Sequence, residues 1–141
     1  MSCLFCRIAR GEVAAHVVYE DEAFLAFLDH RPLFPGHALL IPREHVETLL
    51  DAPRALLGPL AEATQRLSIA VRDAMEADGV FNAVNNVVSQ SVPHLHVHVV
   101  PRRRKDGLRG FFWPRGKYAS DAEAQAVATR IRRLSQPREG V

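Results

Sequence analysis

Three histidines alternate with apolar residues in Ser91-Val92-Pro93-His94-Leu95-His96-Val97-His98-Val99-Val100, and the run stops at Pro101. Alternation with period two is the pattern of a β-strand, whose successive side chains leave opposite faces. The pattern predicts a strand that sends Leu95, Val97 and Val99 into a core and lines up His94, His96 and His98 on its second face. At roughly 3.3 Å of rise per residue, neighbouring imidazoles on that face stand about 6.6 Å apart. Such spacing suits a phosphate-sized group between two rings, or a metal gripped by two of them. A strand that only had to pack would more often carry Thr, Val or Tyr there.

Cys3 and Cys6 are the only cysteines and form a C-x-x-C pair. Half a metal site, a redox couple and two unconnected thiols are the readings open to such a pair. A redox couple wants a strand-to-helix setting, and no strand precedes Cys3. With His94 and one further histidine such as His45, the pair completes a four-coordinate Cys₂His₂ shell. A closed shell has no position for water, so its zinc is structural. It would anchor the N-terminal segment to the sheet and leave His96 and His98 for chemistry.

Two mechanisms then compete. In one, the strand histidines hold a catalytic zinc that activates water. In the other, a neutral imidazole nitrogen of His96 attacks phosphorus and forms a covalent intermediate. Its second ring nitrogen must be held by an acceptor such as a backbone carbonyl. The closed shell favours the second mechanism. His98 and the donors Asn85, Gln90 and Ser91 would steady charge on the phosphoryl oxygens. The polar link of residues 86–91 would otherwise be an ordinary hairpin turn. Asp29, at a strand end, is either a turn residue or a carboxylate that accepts hydrogen bonds from a ribose.

The remaining elements must position these groups. Residues 17–22, 24–29, 37–41 and 80–85 read as short strands separated by Pro- and Gly-containing turns, with Pro42 stopping the third. Residues 51–79 hold one long helix, capped by Asp51 and closed by Gly79 as a left-handed cap. Leu56, Leu57, Leu60, Thr64, Leu67, Val71, Ala74 and Met75 give it one apolar face. Ser120 and Glu123 form a capping box for a last helix with Val127, Ile131 and Leu134 as its stripe. The basic run of residues 102–105 is a solvated surface or a polyphosphate contact. The aromatic stretch of residues 110–115 is expected to be buried against the core or a partner.

The 141 residues are 48% hydrophobic and 24% charged, with a net charge of +2, and they read as a single domain. Residues 1–101 would be the core, 102–118 a variable basic and aromatic loop, and 119–135 the C-terminal helix. The charge speaks against a dedicated nucleic-acid partner, and no apolar run is long enough for a membrane span. The N-terminus lacks the apolar core of a secretory leader, so a cytoplasmic protein without a disulfide is expected.

The chain also resembles a known family. His94-Leu95-His96-Val97-His98-Val99-Val100 matches the histidine triad (HIT) signature of three histidines separated by apolar residues. Cys3-Leu4-Phe5-Cys6-Arg7-Ile8, Val18-Tyr19-Glu20-Asp21, Ala26-Phe27-Leu28-Asp29, Pro35-Gly36-His37-Ala38-Leu39-Leu40-Ile41-Pro42 and Gln90-Ser91-Val92-Pro93-His94 are similar to further family segments, in family order. The resemblance implies an α+β fold: an antiparallel meander sheet of about five strands, a long helix packed on it, a C-terminal helix, and a sheet continued across a homodimer. It implies a nucleotide hydrolase or nucleotidyl transferase with His96 as nucleophile and His98 beside the α-phosphate. Asp29 would bind ribose, Phe27, Ile8 and Val13 would wall a purine base, and Asn85, Gln90 and Ser91 would bind phosphate. In zinc-bearing bacterial members the structural ligands match Cys3, Cys6, His45 and His94. Nucleoside phosphoramidates are the expected substrates. A dinucleoside polyphosphate hydrolase, or a zinc-stabilised nucleotide-binding module with little turnover, are the alternatives. The Asn85–Gln90 link departs from the family pattern, being about two residues shorter and without glycine.

Overall fold

The computed structural model describes residues 3–109 and 113–135. They fall into two compact units, residues 1–104 and residues 105–141. The first holds strands β1 (Val17–Glu20), β2 (Phe24–Leu28), β3 (Ala38–Pro42), β4 (Gly79–Ala83) and β5 (Val97–Arg102), with helices α1 (Leu4–Ala9) and α2 (Arg54–Ala74). The second holds α3 (Asp121–Leu134).

All strand pairs are antiparallel, in the order β1-β2-β3-β5-β4. The class is the expected α+β, but the sheet is not a plain meander. The chain leaves β3 through α2 to the edge strand β4, and β5 returns into the gap. The strand carrying His98 therefore has a neighbour on each side, which is what a rigid platform for chemistry needs.

Period-two alternation divides the core between the two faces. On one face Phe24, Ala26, Ala38, Leu40, Leu95, Val97 and Val99 pack against Leu60, Ala63, Leu67 and Val71 of α2. On the other, Leu25, Phe27, Leu39 and Ile41 pack against Phe5 of α1, with Ile8 beside them. The histidine face is thus covered by α1, a helix the sequence pattern did not predict. Six residues are too few for a periodicity to show or for the helix to stand alone.

Several expected boundaries move. β5 begins only at Val97, because the Leu95 N–H goes to the Val46 carbonyl (2.6 Å) and the His94 N–H to the Val92 carbonyl (2.8 Å) rather than to a ladder. Pro101 lies inside β5, beyond Val99 where pairing with β3 ends, so its missing N–H faces a local edge. Asp51 does not cap α2. Its carboxylate takes the Thr48 N–H (2.9 Å) and hydroxyl (2.5 Å) and closes a 3₁₀ turn over Leu49–Asp51. α2 starts instead after Pro53, which offers no side-chain cap. Gly79 is the first residue of β4, and the left-handed backbone after α2 falls on Glu76 (φ 51°). Ala63 faces the core where the pattern placed Leu57, which is 40% exposed.

Ser120 caps α3 as expected, its Oγ accepting from the Glu123 N–H (3.1 Å), while the Glu123 carboxylate reaches the Ala119 N–H (3.1 Å). Ile131 and Leu134 of its apolar stripe are exposed. Trp113 is 65% exposed, and Gly110, Phe111 and Phe112 lie outside the described residues. Arg103 turns back on the Met75 carbonyl at the end of α2, and the Arg104 N–H donates to Asp78 (2.9 Å). Among the described residues, no helix is long and apolar enough to cross a membrane.

Candidate active site and metal-ligand cluster

Each histidine of the motif has a different partner. The His94 Nε2–H donates to the Pro42 carbonyl (2.8 Å), which fixes the tautomer and leaves Nδ1 with a lone pair. That Nδ1 lies 3.3 Å from Cys3 Sγ and 3.5 Å from Cys6 Sγ, and His45 Nδ1 lies 3.3 Å from Cys6 Sγ. All four ligand atoms fall within 4.8 Å of one another. A tetrahedral zinc with ordinary Zn–S and Zn–N bonds sets its sulfur and nitrogen ligands about 3.5 Å apart. The donor set and its spacing therefore fit a tetrahedral metal with no open position. Burial and the neighbouring Cys3 push the Cys6 thiol pKa up, a cost that a divalent cation would reverse.

His96 is buried, and its Nδ1–H donates to the His94 carbonyl (2.7 Å). The lone pair of its neutral ring is thereby placed on Nε2. Phe5 packs edge-on against this ring, with centroids 5.1 Å apart. His96 and His98 stand closer than strand rise alone predicts, with ring centroids also 5.1 Å apart. His96 precedes β5 and is free of the ladder that fixes His98.

His98 is held by a residue to which the sequence assigned no role. The Leu33 N–H can only donate, so His37 Nδ1 accepts it (3.0 Å) and His37 keeps its proton on Nε2. That Nε2–H points at His98 Nδ1 (3.0 Å), which must accept, leaving the His98 proton on Nε2. Burial holds His37 below the ordinary histidine pKa, although Asp29 Oδ2 lies 3.7 Å away. Burial first, then the neighbouring His96 and His37, push His98 down to about 4, against a small opposing pull from Asp29. Asp29, His37 and His98 also cluster closely enough for a metal. A cation on His37 Nε2 would displace the only proton of a ring whose Nδ1 already accepts, so this cluster is better suited to passing hydrogen bonds. The signal for His37 was in register: Leu39 is the Cα partner of His98, and two residues back along β3 lies the same face.

A cavity of about 700 Å³ opens in front of these rings, between α1 and the sheet. Phe5, Ile8, Val13, Phe27 and Leu39 give it apolar walls, and Asp29, Ser91, His96 and His98 line its polar part. His16 and His30, unremarked in the sequence, line it as well. The Asp29 Oδ1 accepts the Arg31 N–H (2.9 Å), the hydrogen bond of a turn residue, yet its carboxylate still faces the cavity.

Asn85 and Gln90 are not among the cavity-lining residues. The Gln90 amide braces its loop, with Oε1 accepting the Val87 N–H (3.0 Å) and Nε2 donating to the Glu47 carbonyl (2.6 Å). Asn86 Oδ1 adds a bond from the Leu49 N–H (2.8 Å). These ties hold Val87 (φ 73°) and Ser89 (φ 63°) in left-handed backbone without glycine, a strain of order 1–3 kcal/mol at each position.

The family model described as HIT domain matches residues 10–105. The chain belongs to the HIT family. A HIT protein structure from Bacillus subtilis is 32% identical with a TM-score of 0.87, covering 98% of this chain and all of its own. A zinc-bound histidine triad protein from Mycobacterium smegmatis is 38% identical with a TM-score of 0.73, covering 96% of this HIT chain and 99% of its own. Two relatives carry activities in their names. An Arabidopsis thaliana protein named adenylylsulfatase is 33% identical over 138 residues, 93% of this chain and 68% of its own. A Saccharomyces cerevisiae protein named adenosine 5′-monophosphoramidase is 33% identical over 108 residues, 76% of this chain and 67% of its own.

Proposed function

We propose that this HIT protein hydrolyses adenine nucleotides at the α-phosphorus through a covalent intermediate on His96, releasing AMP. The observation that carries this is the His96 Nδ1–H bond to the His94 carbonyl, in a ring that lines a nucleotide-sized cavity. Phe27, Ile8 and Val13 take the base, the Asp29 carboxylate takes the ribose hydroxyls, and Ser91 donates to a phosphoryl oxygen. His96 Nε2 attacks phosphorus as the bond to the leaving group breaks. The leaving atom accepts a hydrogen bond from His98 Nε2, which the Leu33–His37–His98 chain presents as a donor, and an amine departs with a proton drawn from solvent. Water then attacks the phosphohistidine, loses a proton to solvent and frees His96, with His98 Nε2–H still donating to the phosphoryl group. Cys3, Cys6, His45 and His94 hold a structural zinc that bears on α1 and takes no part in these steps.

The leaving group is the amine of a nucleoside phosphoramidate or the sulfate of a nucleoside phosphosulfate. The two named relatives support both. Incubation of purified protein with adenosine 5′-phosphoramidate and adenosine 5′-phosphosulfate tests the reading: AMP is released from at least one, with Michaelis behaviour. Binding of AMP without turnover of either would leave only a nucleotide-binding module.

The His98 donor sets the pH dependence. Protonation puts a second N–H against the His37 donor, so kcat falls on the acid side as pH approaches the depressed pKa of about 4. In stability the depressed pKa acts in the same direction. Its contribution is complete above the unfolded-state value of about 6.5 and is lost as pH falls toward the folded value. Replacing His37 by Phe removes the donor opposite His98 Nδ1. The expected result is a kcat lower by about 10²-fold and an acid limb shifted toward neutral pH, with Gln partly restoring both. An unchanged pH–kcat profile would remove His37 from the mechanism.

A further inference from the structure

The wall of the nucleotide cavity stands on a helix of six residues, so its position is set by what grips its ends. α1 presents Leu4, Phe5 and Ile8 to the cavity, while Cys3 and Cys6 at its N-terminal end join the metal-ligand cluster. The last-turn carbonyls at the other end have no donor within the helix. The Cys6 and Ile8 carbonyls are met by the N–H groups of Arg10 and Gly11 (both 3.0 Å). The Ala9 carbonyl is met from outside, by Arg43 Nη1–H at 3.2 Å.

Arg43 also donates Nε–H to the Asp21 carbonyl (2.8 Å), and its own backbone N–H to the Ala23 carbonyl (2.8 Å). That β1–β2 turn is itself fixed, since Asp21 Oδ1 accepts the Ala23 and Phe24 N–H groups (both 2.8 Å) and Oδ2 accepts the Tyr19 hydroxyl (2.7 Å). A half-buried guanidinium thus bolts the C-terminal end of α1 to the sheet, where the helix dipole favours a cation.

We propose that Arg43 is a positioning residue for the nucleotide: it sets the gap between Ile8 on α1 and Phe27 on β2 that receives the base. It does not line the cavity and touches no reacting atom. The inference rests on the nucleotide reading of that cavity. Lysine cannot replace it fully, because a single ammonium lacks the fork that reaches two carbonyls at once.

The test compares wild type, Arg43→Met and Arg43→Lys in the zinc-loaded full chain. The Met variant is expected to raise the AMP Kd, and the KM for adenosine phosphoramidate, about tenfold with kcat within about twofold. The Lys variant falls between, and zinc stoichiometry is unchanged in both. Amide hydrogen exchange in residues 4–10 speeds up in the Met variant while α2 exchanges as before. An unchanged AMP Kd with unchanged α1 exchange overturns the proposal, as does a kcat that falls as far as kcat/KM. Should wild type bind no AMP, the nucleotide reading fails by itself, and α1 exchange decides whether Arg43 is the clamp.

Discussion

Replacing His96 by Asn abolishes turnover, by on the order of 10⁴-fold or more, while AMP binding and zinc content survive. The reason is local. Asn keeps most of the ring's first half, including an N–H able to reach the His94 carbonyl where His96 Nδ1 now donates at 2.7 Å. It has no basic nitrogen in place of Nε2, so no bond to phosphorus can form. The cavity walls, the Asp29 carboxylate and the metal-ligand cluster are other residues and stay in place. Steady-state assays with AMP titration and metal analysis on the same preparation separate these quantities. Activity within tenfold of wild type would mean that another group, or water, is the nucleophile. Loss of AMP binding along with activity would mean that the substitution had disturbed the cavity itself.

The second large effect is expected on removing zinc from the zinc-loaded protein, by a strong chelator or by Cys6→Ser. Structural Cys/His zinc sites contribute on the order of 10 kcal/mol of apparent binding free energy in small peptides. Here that free energy would hold α1, whose Phe5 seals the sheet against His94, His96 and Phe27. Without it, a helix of six residues is held by the packing of Phe5, Ile8 and Ala9 on the sheet and by Arg43. A drop in Tm on the order of 10 °C is expected, as is a KM raised more than kcat is lowered, because a metal in this closed cluster would hold a wall and do no chemistry. Calorimetry and kinetics on zinc-loaded and stripped protein check both. Lost activity with an unchanged Tm would instead identify a catalytic metal.

Much of this arrangement is visible in the residues themselves. Alternation alone separates Leu95, Val97 and Val99, which pack on α2, from the three histidines, and it does so although the strand proper begins only at Val97. An extended segment alternates its side chains whether or not a ladder pairs it. The Cys-x-x-C spacing and the limited supply of histidines narrow the metal ligands to a few combinations, and the structure gathers Cys3, Cys6, His45 and His94.

What the sequence hides is whatever depends on distant contacts. α1 is too short to announce itself. Asp51 is a different case, since its capping box with Thr48, only three residues away, is a local pattern that competes with its capping of α2. His37 stands as an ordinary strand residue until β5 is inserted beside β3 and brings His98 within 3.0 Å of it. Gln90 carries the same amide whether it faces a phosphate or, as here, the Glu47 carbonyl and the Val87 N–H.

The proposed covalent bond between His96 and phosphorus is open to direct observation. Protein turning over adenosine 5′-phosphoramidate or 5′-phosphosulfate is quenched within milliseconds by denaturant at alkaline pH, where a phosphoramidate bond to histidine survives, and digested for mass spectrometry. The peptide spanning residues 91–102 should carry one adenylyl group on His96, and the same peptide from His96→Asn should carry none. Rapid AMP release with that peptide unmodified at every quench time would contradict the mechanism.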